Sequence, residues 1–154
     1  MKTPSFVSLL TAVSLAVFAS ASARAADIDG KAKSFLQNAY EDGLAEVKMG
    51  ELGLAKTANE EVKKFARMMV DDHGKANAEL KTIADAKSVK VATEPTMVAK
   101  GKEKMMDAKS GADFDKAFAE AMVSDHKKAV EAFEKAANES KDAEVKAFAA
   151  KTLP

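Results

Sequence analysis

The sequence predicts an all-α fold, an up-and-down bundle of four helices whose fourth member is short or truncated. Three observations carry this. Proline stands only at positions 4, 95 and 154, so no proline interrupts the chain from residue 5 to 94. Apolar residues recur at helical spacing through segments rich in alanine, lysine and glutamate. Side chains able to cap helices stand where the period restarts.

The first 25 residues are read apart from the fold. Lys2, the apolar run from Phe6 to Phe18 and the small residues of Ala19 to Ala25 have the order of a secretory signal peptide. Cleavage is expected after Ala25, with Ala21-Ser22-Ala23 as the second site. The mature domain, residues 26–154, is then 129 of the 154 residues, and loss of Lys2 and Arg24 leaves 22 basic against 24 acidic groups, a net charge of −2.

The elements follow in order. A first helix is expected from about Asp29 to Lys56. Thr57-Ala58-Asn59-Glu60 fits a capping box, with Thr57 as the cap of a second helix that runs to about Lys87. The β-branched stretch from Ser88 to Pro95 reads as a connection, with a short helix at about Thr96 to Lys109. Ser110-Gly111-Ala112-Asp113 opens a third long helix to about Asn138, and Ser140 would cap the fourth, which ends at Leu153-Pro154.

The composition excludes several functions. Interspersed charges near neutrality leave no footprint for nucleic acid. No apolar run beyond residue 25 approaches the ~20 residues that cross a bilayer as a helix, so no transmembrane segment is expected in the mature chain. Without cysteine there is no disulfide, thiolate metal site or lipidated N-terminal cysteine. Aromatic residues make up 6% of the chain, which argues against a membrane β-barrel with aromatic girdles. A periplasmic domain is the expected product.

The chain repeats itself. Residues 65–76 and 118–129 share F-A-x-x-M-V-x-D-H-x-K-A, at a constant offset of 53 residues (His73 to His126). Two copies are too few for a solenoid; they suit a bundle with an internal pseudo-twofold. On a helical wheel His73 falls about 20° from Val62, inside the stripe of Met69, Ala76 and Leu80. His126 lies in the arc of Met122, Ala129 and Phe133. Both histidines of the protein therefore face the core from equivalent places.

Asp72 and Asp125 precede the histidines by one residue and point about 100° away, which suits a place at the rim, pairing with another helix, or an outer-sphere role that orients a ligand. One turn before each histidine stands a methionine, Met69 or Met122. That is Met-x-x-x-His, unlike the Glu-x-x-His of carboxylate-bridged two-metal bundles, so no oxidase and no other enzyme is assigned. On the first helix Phe35, Ala39, Gly43, Glu46 and Gly50 share a stripe; Glu46 is the favoured core-facing carboxylate, ahead of Glu51.

Gly43-Leu44-Ala45-Glu46-Val47-x-x-Gly50-x-Leu52, the paired M-V-x-D-H motifs and Val145-Lys146-Ala147-Phe148-Ala149-x-x-Leu153-Pro154 resemble the bacterial domain of unknown function 4142 family. The resemblance spans the mature chain. It implies export, a ferritin-like four-helix bundle and a frequent label, "outer membrane protein", which leaves association with the outer membrane open; it implies no settled activity. Members continue past the Leu-Pro into a further helical stretch with another histidine, where this chain stops.

Two functions suit these residues. In one, His73, His126 and Glu46 hold a transition metal (Fe, Mn, Zn or Cu), with Asp72 and Asp125 behind them; Met69 and Met122 would make it a soft site for copper. In the other, the histidines only pack, and the protein is a non-catalytic envelope stress or interaction bundle.

Overall fold

The computed structural model describes residues 28–154, so the expected signal peptide and its cleavage site lie outside the described residues. Five helices follow one another: α1 (Gly30–Lys56), α2 (Glu60–Ala86), α3 (Met97–Asp107), α4 (Gly111–Glu139) and α5 (Ala143–Thr152). The caps are chemical. Asp29, Asn59, Thr96 and Asp142 each accept hydrogen bonds from amides of the turn they open. Asn59, not Thr57, starts α2. Thr57 closes α1 instead; it is buried, and its hydroxyl donates to Asp115 at 2.5 Å. Ser140 likewise yields its capping role to Asp142.

The core is split in two. At one end Ala32 and Leu36 of α1 pack with Leu80 and Ala84 of α2, Val89, and Val145 and Phe148 of α5. At the other, Met49 of α1 packs with Ala66 and Met69 of α2, Met106 of α3, and Phe114, Phe118 and Met122 of α4. The early part of α1 thus meets the late part of α2, so these helices are antiparallel. Phe118 of α4 meets Phe65 of α2 edge-to-face at 6.1 Å, while Phe133, later in α4, meets Phe35, early in α1, at 5.0 Å. Helices α2 and α4 therefore run parallel.

This corrects the expected architecture. Among the described residues the bundle has five helices, not four, and it is not an up-and-down or ferritin-like four-helix bundle. The up-and-down order is lost in the connection from α2 to α4, and the fifth helix, α3, lies within that connection. It starts with Val89 buried in the first cluster and ends with Met106 buried in the second, so it carries the chain back along the length of the molecule. Helix α3 forms on the way because Thr96 caps it and Met106 anchors it. Helix α5 has only ten residues; Lys87 holds its start to the end of α2 through Asp142 at 2.7 Å and Glu144 at 2.6 Å.

Helices α1 and α2 approach closely because α1 presents glycines. A Cβ on Gly50 would lie 2.9 Å from the carbonyl oxygen of Ala66, and one on Gly43 would lie 2.2 Å from Oδ1 of Asn77. Helix α4 stands further off in its middle, where alanines line its inner face. Between the two core clusters this leaves a cleft of about 1060 Å³. Among the described residues no helix is long and apolar enough to cross a membrane.

Candidate functional site

His73 from α2, His126 from α4 and Glu46 from α1 all line this cleft. The helical period puts the histidines on the inner faces of α2 and α4. The parallel course of those helices then sets residues 53 positions apart opposite each other. The His73 and His126 rings meet edge-to-face, their centres 5.6 Å apart and their planes at 80°, and Phe65 meets Phe118 in the same relation. The repeat is thus a local pseudo-twofold between α2 and α4.

The imidazoles differ in their surroundings. Nδ1 of His126 lies 2.9 Å from the carbonyl oxygen of Met122, one turn earlier. A carbonyl oxygen only accepts, so Nδ1 is the donor in that bond and Nε2 is the nitrogen left for another partner. Burial pushes His73 down to about 4; the neighbouring His126 adds to the shift and Asp72 opposes it. His73 is therefore neutral at pH 7, the form that can ligate an ion.

Glu46 is shifted the other way. Burial raises its carboxyl to about 7, opposed by His126 and reinforced by Asp125 and Asp42. Its Oε2 is buried with no hydrogen-bond partner. Glu51, the alternative acid of α1, is half exposed and pairs with Lys48 at 2.7 Å.

Two polar residues escaped the sequence reading. Asn77, one turn after His73, is buried, lines the cleft and has no donor for its Oδ1. Its spacing from His73 was the available signal, since residues four apart share a helix face. Asp42, one turn before Glu46, also lines the cleft, and burial with the nearby charges of Glu41 and Asp125 raises its carboxyl.

Asp72 and Asp125 stand at the rim, as their wheel positions predict, and pair with lysines. Asp72 contacts Lys75 at 3.4 Å. Asp125 contacts Lys102 of α3 at 3.1 Å and Lys128 at 3.4 Å. Met122 lines the cleft, whereas Met69 is buried in the adjoining cluster. Among the described residues no three His, Asp or Glu side chains are grouped closely enough to hold a metal ion; the two imidazoles meet, and Glu46 lines the same cleft.

Fold and cleft define the class: an all-α bundle with a histidine pair and buried, unpartnered oxygens between two apolar clusters. Residues 17–154 match the model of the family described as Domain of unknown function (DUF4142), and the chain belongs to that family. Comparison with curated proteins and with solved structures gave no match.

Proposed function

We propose that the protein is an exported, non-catalytic bundle that binds a transition-metal ion at the His73–His126 pair, with Glu46 as the anionic ligand. The observation that carries this reading is the 5.6 Å approach of the two rings. Two imidazoles sharing one tetrahedral ion place their ring centres roughly 5–6 Å apart, given metal–nitrogen bonds of about 2.0–2.1 Å. The bond from His126 Nδ1 to a backbone carbonyl supports it, because ligating histidines commonly donate their second nitrogen in this way. A buried Glu46 oxygen without a donor suits a cation as its partner. The pattern of residues 1–25 supports export, and the periplasm is the compartment we propose.

The test is thermal unfolding of the metal-stripped protein with Zn(II), Mn(II), Fe(II) and Cu(I) added in turn. An ion at 100 times its dissociation constant adds about 2.7 kcal/mol, which is several degrees for a domain of this size. The expected shift disappears in His73→Ala and in His126→Ala. Absence of a shift with every ion would end the metal reading.

A further inference from the structure

The two core clusters differ in methionine. The cluster shared by α1, α2 and α5 contains none, whereas the one next to the histidines contains Met49, Met69, Met106 and Met122. Three of the four keep a common register with the candidate ligands. Met69 precedes His73 by four residues, Met122 precedes His126 by four, and Met49 follows Glu46 by three.

Because α1 runs opposite to α2 and α4, all three offsets point to the same end of the bundle. A layer of thioethers therefore lies about one helical turn, 5.4 Å, from the layer of His73, His126 and Glu46. Met49 and Met122 line the same cleft as the histidines, at 8% and 2% exposure.

We infer that the ion is Cu(I), bound between the two layers by the imidazoles of His73 and His126 and the thioethers of Met122 and Met49. The inference rests on the histidine pair of the metal reading above, names its ion, and puts thioethers in the place given there to Glu46. Among the described residues the nitrogen and carboxylate donors fall short of three in reach of one another, which starves a divalent ion such as Zn(II) that takes four such ligands. Thioethers are soft and select Cu(I). A monovalent ion also costs less to bury, because the Born penalty grows with the square of the charge. Imidazoles and thioethers can hold Cu(I) without a carboxylate.

The experiment is an anaerobic competition between the purified full-length protein and a chromogenic Cu(I) chelator, with Zn(II) and Co(II) titrated in parallel. Met122→Leu and Met49→Leu keep the core volume, and their circular dichroism and metal-free Tm check the fold. One Cu(I) per chain is expected, with sulfur scatterers in its X-ray absorption spectrum and an affinity that falls about tenfold or more in either leucine variant. Tight Zn(II) or Co(II) binding that needs His73, together with Cu(I) affinity unchanged by both leucine variants, would overturn the thioether site and leave the histidine site standing. Binding of no ion at all would overturn both.

Discussion

On α2 the repeated motif sets out Phe65, Met69, His73 and then Asn77; on α4 the same places hold Phe118, Met122, His126 and Val130. Both copies are helical, and both turn the histidine into the cleft. Their neighbours differ. Helix α2 lies against the glycine stripe of α1, so Asn77 is buried against Gly43. Helix α4 stands across the cleft, and Val130 is 45% exposed. Phe118 is fully buried under Phe114 and Gly53, whereas Phe65 is half-buried. The motif sets the direction of each side chain along its helix; the partner helix sets what that side chain experiences.

The sharpest way to break this comparison is to truncate the paired phenylalanines. Phe118→Ala should cost about 3–5 kcal/mol, the range for emptying a closed core site. Phe65→Ala should cost roughly 1–2 kcal/mol, since less area leaves water on folding. Urea unfolding of the two variants decides it, and equal losses would mean that the two copies pack alike.

A second prediction concerns pH in the metal-free protein. Glu46 has a raised pKa, so its contribution to stability is present below 4.5 and is lost as pH rises through about 7. His73 has a lowered pKa, so its contribution is present above 6.5 and is lost as pH falls through about 4. The two slopes oppose each other between 4.5 and 6.5. Glu46→Gln leaves the His73 slope alone, so the variant should gain stability from about pH 4 to 6.5. Its advantage over the wild type should reach about 2–3 kcal/mol above pH 7. Parallel pH profiles of the urea midpoint would show that burial of Glu46 is not what shifts it.

The smallest expected effect comes from making the copies alike. Asn77→Val writes the α4 residue into α2 and removes an acceptor that no donor reaches. It should stabilise the metal-free fold by about 1 kcal/mol. A loss of stability, read from Tm, would mean that Asn77 has a partner in solution, such as a buried water.

Much of this was legible in the chain. Helix boundaries came within a few residues because proline, capping side chains and apolar period act locally. The caps themselves went to Asn59 and Asp142 rather than Thr57 and Ser140, since Thr57 is drawn into the bond to Asp115. The bundle topology was not legible. An apolar stripe shows which face of a helix is buried and says nothing about whether its partner runs parallel or antiparallel.

Local chemistry therefore determined the helices, the inward aim of His73 and His126, and the rim positions of Asp72 and Asp125, because a 3.6-residue period and a cap need only nearby residues. Only the tertiary structure decided that α2 and α4 run parallel across the cleft, that residues 53 apart meet as ring pairs, and that a cleft divides the core. Those outcomes depend on the return path through α3 and on how near the glycines of α1 let α2 come. Both arise from contacts between residues distant in the chain.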